Sequence, residues 1–146
     1  MILPSKERLL RGRAAVIACP REECRICLSA CGFTAIRIES GRPYSDPDKC
    51  VGCGGCAAIC PEGAIRLLRL TNGGAEITFP YEGELPELGD TVTVAPAAGG
   101  RPVPARVVWA APKRTNAAFA LVRAVIPETD DPASAEAQRF FQEGEH

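Results

Sequence analysis

Residues 50–61 read "CVGCGGCAAICP". Cys50, Cys53, Cys56 and Cys60 follow one another with gaps of two, two and three residues, and Pro61 comes directly after. Three thiolates two residues apart let a short loop fold around three irons of one [4Fe–4S] cubane. The chain then leaves in a helical turn, so the fourth thiolate faces a different cluster. Gly52, Gly54 and Gly55 suit such a loop, since glycine takes positive φ and lets backbone amides approach the sulfurs. Pro61 stops the turn and redirects the chain. Zinc is the competing reading. Zinc ribbons use two Cys-x2-Cys pairs separated by a longer gap, and a closing Cys-Pro has no role in them.

Upstream lies a second cysteine run, "CPREECRICLSACG", at 19–32. Taken alone, Cys19-x4-Cys24-x2-Cys27 matches the plant-type spacing of a [2Fe–2S] centre, whose fourth ligand is distant. A protein with one cluster of each kind is then an alternative. Internal repetition argues against it. Cys31-Gly32-Phe33-Thr34-Ala35-Ile36-Arg37-Ile38 overlies Cys60-Pro61-Glu62-Gly63-Ala64-Ile65-Arg66-Leu67 at an offset of 29 residues. The same offset carries Cys24 to Cys53 and Cys27 to Cys56, whereas Cys19 to Cys50 is 31. Three ligands and the strand after them are therefore duplicated, with two residues inserted behind the first ligand.

With this repeat in place, residues from about 14 to 70 resemble a two-cluster bacterial ferredoxin domain. The resemblance implies two pseudo-symmetric halves, each with a ligand loop, a helical turn and a strand. Carried over by position, one [4Fe–4S] cluster would take Cys19, Cys24, Cys27 and Cys60. The other would take Cys50, Cys53, Cys56 and Cys31. Such cross-ligation would staple the halves together, and a domain this small would depend on iron to fold. Two departures stand out: the longer gap at Pro20–Glu23, and Gly32 in place of the proline expected after Cys31. The longer loop is expected to alter amide hydrogen bonds to its cluster and hence the potential. Arg21 and Arg25 lie in this loop, as potential-tuning charges, contacts for an acidic partner or solvated side chains.

All eight cysteines of the 146-residue chain fall between positions 19 and 60. Charge divides there too. Residues 1–70 hold 11 Lys+Arg and 7 Asp+Glu (+4), and residues 71–146 hold 6 and 11 (−5), which sum to the −1 of the whole. Two oxidised cubanes with their thiolates bring about −4, leaving the loaded first part near neutral. That suits permanent docking in a complex better than acidic steering of a free carrier. A boundary is expected at the turn-rich Thr71–Gly74. The net charge gives no reason to expect nucleic acid, no apolar run reaches membrane-spanning length, and no export signal is legible, so the cytoplasm is expected. Disulfides are disfavoured there, which leaves metal as the role of the cysteines.

"PSKERLLRG" predicts a short helix with Ser5 as N-cap and Gly12 as its stop. "AAVIA" follows as a strand. In the Cys-free part, "AEITFPY", "LGDTVTVAP", "PVPARVVWAAP" and "FALVRAVIP" read as strands of a small antiparallel β-barrel or sandwich. The last has one apolar face of Ala120, Val122, Ala124 and Ile126, and another of Phe119, Leu121 and Val125 broken only by Arg123. A strand apolar on both sides is central or at an interface. Trp109 reads as a core or interface anchor, and Lys113 and Arg114 as a solvated turn. "DDPASAEAQRFFQEG" predicts a helix capped by Asp131, with Pro132 at N1 and Gly144 past its end; Phe140 and Phe141 would need a surface to pack on. His146 is the only histidine, and no catalytic triad, dinucleotide fingerprint or P-loop occurs.

The expected fold class is thus α+β: a dicluster ferredoxin domain with an N-terminal helical arm at 1–70, a small β domain at 71–128, and a C-terminal helix or tail at 129–146. The opening "MILPSKERLLRG…AVIACP", with the ferredoxin domain and β-rich tail, also resembles small [4Fe–4S] subunits of bacterial flavin-dependent dehydrogenase complexes of the hydroxyproline or opine type. That resemblance implies an electron-relay subunit without a substrate site, with two [4Fe–4S] clusters. Its partners would be FAD or FMN dehydrogenase subunits and a possible [2Fe–2S] subunit. A free ferredoxin serving several enzymes and a zinc-stabilised binding module are the alternatives.

Overall fold

Alternating apolar residues build the largest element among the described residues, one antiparallel sheet. The computed structural model describes residues 6–17, 31–32, 35–39, 41–61, 65–71, 74–94, 103–115 and 117–127. It opens with helix α1 (Lys6–Arg11), with Glu7 in its first turn and Arg8 and Arg11 in its last, the order that complements the helix dipole. Strands follow as β1 (Ala14–Ile17), β2 (Ile36–Glu39) and β3 (Arg42–Ser45). After the ligand helix α2 (Gly55–Ile59) come β4 (Ile65–Thr71), β5 (Gly74–Tyr81), β6 (Thr91–Val94), β7 (Val103–Ala111) and β8 (Ala120–Pro127). The expected helix at 129–146 lies outside the described residues, as does Ser5.

Six strands join in the order β1-β4-β5-β8-β7-β6, and β2 and β3 form a separate two-stranded ladder. All the pairings are antiparallel. β4 and β5 pair across positions 71–74, from Leu67 opposite Thr78 to Thr71 opposite Gly74. The strand leaving the second ligand loop is therefore hydrogen-bonded to the first strand of the Cys-free part. β8 lies between β5 and β7, the central position its two apolar faces call for.

Side chains alternate across the sheet, so β4 serves two cores. Leu68 and Leu70 join Leu9, Ala14, Ala75, Ile77, Val94, Ala105, Ala124 and Ile126 on one side. Ile65 and Leu67 join Ala15, Ile36, Cys56, Ala57, Cys60 and Leu121 on the other. Burying a side chain of this size is worth about 1.5–3 kcal/mol. The first core is wholly aliphatic, and the second includes the thiols.

The repeat read from sequence recurs in the ladders. Ile65 pairs with Ile17 in β1, and Ile36, its equivalent 29 residues earlier, pairs with Ser45 in β3. Likewise Arg66 faces Val16, and Arg37 faces Tyr44.

Candidate iron–sulfur site

The second ligand loop begins in a tight turn. Asp46 accepts backbone N–H bonds from Lys49 (3.1 Å) and Cys50 (3.0 Å) through its carbonyl, and one from Asp48 (2.9 Å) through its carboxylate. Its own N–H donates to the Ala35 carbonyl at 2.7 Å, tying this turn to the start of β2. Aspartate suits this position because its short side chain closes a turn on its own backbone.

Arg8 pins the turn from the other side. Its guanidinium donates to the carbonyls of Pro47 (2.5 Å), Cys50 (2.7 Å), Gly12 (2.9 Å) and Arg13 (2.9 Å). One planar fork thus joins the α1–β1 connection to the segment that presents Cys50. The loop then presses on that connection. Gly52 has φ +74°, and a Cβ there would stand 2.5 Å from Arg13 Cβ and 2.8 Å from the Arg13 carbonyl oxygen. Gly54, at φ 85°, is the N-cap of α2. Gly55 opens that helix, in place of the positive-φ loop position expected for it. Cys60 ends α2 in an extended conformation, φ −65° and ψ 116°, as a residue before proline does.

Cys50, Cys53, Cys56 and Cys31 line one small cavity, walled by Ala15, Ile36 and Leu67. Cys60 does not line it; it is buried in the apolar cluster beneath α2. Two sulfurs already receive backbone donors: Ala15 N–H to Cys50 Sγ and Ala35 N–H to Cys31 Sγ, both 3.4 Å. Cys56 is buried and Cys53 exposed. Among the described residues, no three Cys, His, Asp or Glu side chains converge as ligands of a single ion would. A cubane asks for a different arrangement, with its thiolates spread over four irons. The donor set fits such a group: four sulfurs around an apolar hollow, with amides aimed at two of them. Cys19, Cys24, Cys27, Arg21 and Arg25 lie outside the described residues.

Ser45 also lines this cavity. Its Oγ is buried and has no hydrogen-bond partner among the described residues. An unpaired buried hydroxyl costs roughly 1–3 kcal/mol, so its position beside the sulfurs fits a cluster that accepts from it.

The Cys-free part closes over the ligand helix. The Ala118 and Phe119 N–H groups donate to the Ala58 carbonyl at 2.8 and 3.1 Å. A groove runs between them, lined by Cys53, Gly54, Trp109, Arg114 and Phe119 among others. Lys113 and Arg114 are both exposed, as a solvated turn requires. Trp109 sits just past a register shift in β7, opposite Arg123, and is 37% exposed. The Arg123 guanidinium lies 4.4 Å from its ring centroid, within cation–π range.

Arg123 also donates to Thr78 Oγ1 at 3.0 Å and stands 3.5 Å from Glu76. Buried Glu76 pairs with Arg13 as well. Burial lowers the Arg123 pKa, the nearby Arg13 charge lowers it further, and Glu76 opposes both. Burial alone lowers that of Arg66. Sequence reasoning did not find this charged set. Its one visible signal was Arg123 interrupting an apolar face, and its partners stand 45 and 47 positions away.

Residues 43–66 match the family model of the 4Fe-4S binding domain. An indolepyruvate oxidoreductase subunit of Pyrococcus horikoshii is 46% identical over 48 residues, 32% of this chain and 7% of that protein. An uncharacterized ferredoxin of Methanocaldococcus jannaschii is 39% identical over 56 residues, 38% of this chain and 34% of that one. A subunit of the Na(+)-translocating ferredoxin:NAD(+) oxidoreductase complex of Acetobacterium woodii is 44% identical over 43 residues, 29% of this chain and 13% of that one. The aligned segments span about a third at most of these relatives. No solved structure matches the chain. Among the described residues, no helix is long and apolar enough to cross a membrane. The matched segment contains Cys50, Cys53, Cys56 and Cys60, so this chain carries a [4Fe–4S] binding segment similar to those of ferredoxins and oxidoreductase subunits.

Proposed function

We propose that the chain is an electron-transfer subunit that holds two [4Fe–4S] clusters and works inside a flavin-dependent dehydrogenase complex in the cytoplasm. In this reading Cys50, Cys53, Cys56 and Cys31 hold one cluster, and Cys19, Cys24, Cys27 and Cys60 hold the other. Residues 14–70 form the dicluster domain, and the β-rich part supports and docks it. The observation that carries the reading is that Cys31 lines one cavity with Cys50, Cys53 and Cys56, and Cys60 does not line it. A single closed four-cysteine site built from 50–60 would not recruit Cys31. Similarity to proteins named as oxidoreductase subunits supports work within a complex.

When bound, a [4Fe–4S] cluster takes up or gives back one electron at a time. This chain's residues position it. Gly52 and Gly54 let the loop close, the amides of Ala15 and Ala35 lean on two sulfurs, and Arg8 holds the Cys50 carbonyl. Two such sites would buffer the two electrons that a reduced flavin delivers.

Iron and sulfide analysis after anaerobic purification, with electron paramagnetic resonance on the reduced protein, tests the count. About eight irons and eight sulfides per chain are expected. About six would restore the mixed-cluster arrangement, about four would leave one cubane, and zinc would overturn the reading. A second reading, a free ferredoxin, is favoured by the similarity to a protein named as one. A tagged chain recovered from native cells alone and monomeric would select it; one recovered with a flavoprotein would reject it.

A further inference from the structure

We propose that Ser45 tunes the cluster held by Cys31, Cys50, Cys53 and Cys56, its hydroxyl donating a hydrogen bond to a cluster sulfur or a ligand thiolate. This rests on the reading of those four cysteines as one ligand set.

Three observations support it. Ser45 is 6% exposed, and its Oγ has no partner among the described residues. It lines the same cavity as the four thiols. Third, the ladders give an internal control. Ser45 faces Ile36, and the equivalent pair in the other half is Ile17 with Ile65. Ile17 packs against the core cluster on the thiol side. The same strand position is thus filled by an aliphatic side chain in one half and a hydroxyl in the other. Packing is met by an isoleucine there, so the ladder does not require the oxygen of Ser45.

A hydroxyl has one proton to give, and a cluster sulfur bearing negative charge is a strong acceptor. Reduction adds one electron and makes the sulfurs more negative, so the bond strengthens in the reduced state. Ser45 thereby raises the potential of this cluster relative to the same site without the hydroxyl. It acts through the bound group and needs no proton release, so no proton uptake accompanies the electron.

The test is a redox titration of the full chain with clusters loaded, followed by electron paramagnetic resonance, on wild type, Ser45→Ala and Ser45→Thr. Ser45→Ala is expected to keep its iron and lower one potential by up to tenfold in the reduction equilibrium, which is about 59 mV for one electron. Ser45→Thr keeps the hydroxyl and is expected to stay at the wild-type value. Electron–nuclear double resonance on the reduced wild type is expected to show an exchangeable proton coupling that Ser45→Ala lacks. If Ser45→Ala fails to load iron, the wild-type coupling and its persistence in Ser45→Thr still decide the matter. An unchanged potential in Ser45→Ala, or no exchangeable coupling beyond those of the amides, overturns the proposal. A wild type without iron overturns the ligand reading itself, a separate outcome seen before any variant is made.

Discussion

The two sides of the six-stranded sheet come from the same strands and hold different chemistry. One side packs Leu9 of α1 onto Leu68, Leu70, Ile77 and Ile126. The other packs Leu67 and Leu121 against Cys56 and Cys60, and it bears Glu76, Thr78 and Arg123 farther along. The aliphatic side gains stability from burial alone. The thiol side adds sulfurs that can hold a cluster. Substitutions can therefore be aimed at one side or the other.

Stripping iron with a chelator under anaerobic conditions should produce the largest effect. Hydrogen exchange at the amides of Ala58 and Cys60 is expected to lose its protection. Amides of β5 and β8 are expected to keep theirs. Equal loss on both sides would show that the sheet cannot stand without the metal.

Leu68→Ala strikes the aliphatic side. It is expected to lower stability by about 2–5 kcal/mol in a thermal melt, with the visible spectrum of the loaded protein unchanged below the transition. A bleached spectrum at low temperature would mean that the two sides are one unit.

Gly52→Ala strikes the thiol side. Positive φ costs a residue with a Cβ about 1–3 kcal/mol, and the new Cβ would also meet Arg13 at 2.5 Å. Iron content and resistance to chelator are expected to fall more than the melting temperature of β5–β8. Intact loading would show that the loop has room the geometry denies.

Trp109→Leu is expected to be the mildest. Trp109 is partly exposed and its contact with Arg123 is worth about 0.5–1 kcal/mol. Melting and iron content should barely move. A large loss would show that Trp109 holds Arg123 and Glu76 in place.

Much of this comparison was legible in the sequence. Alternating residues marked β5 to β8, and Leu121 with Val122 already showed that β8 is apolar on both sides. The grouping of Cys31 with the second loop's thiols is an expectation from the resemblance to a two-cluster ferredoxin domain; in the structure Cys31, Cys50, Cys53 and Cys56 line one cavity. The joining of β1 and β4 to the Cys-free strands was not legible. It rests on backbone hydrogen bonds, which any residue but proline can make. The Arg13–Glu76 pair spans 63 positions, and the burial that selects it exists only after the sheet forms. Arg8 illustrates the same limit: its acceptors are main-chain carbonyls and leave no side-chain signature. Ser45 leaves no signature either, because one serine in a strand carries no signal until its surroundings are known.

Cys53 lies on the cavity's margin, exposed where Cys31, Cys50 and Cys56 are half or fully covered. Sulfur reactivity toward oxidants follows access. Among the described thiols Cys53 is therefore the one most open to oxidants, and it also lines the groove beside Trp109. Anything seated in that groove would shield Cys53 from oxidants. Solitary and assembled chains should then differ in shelf life in air.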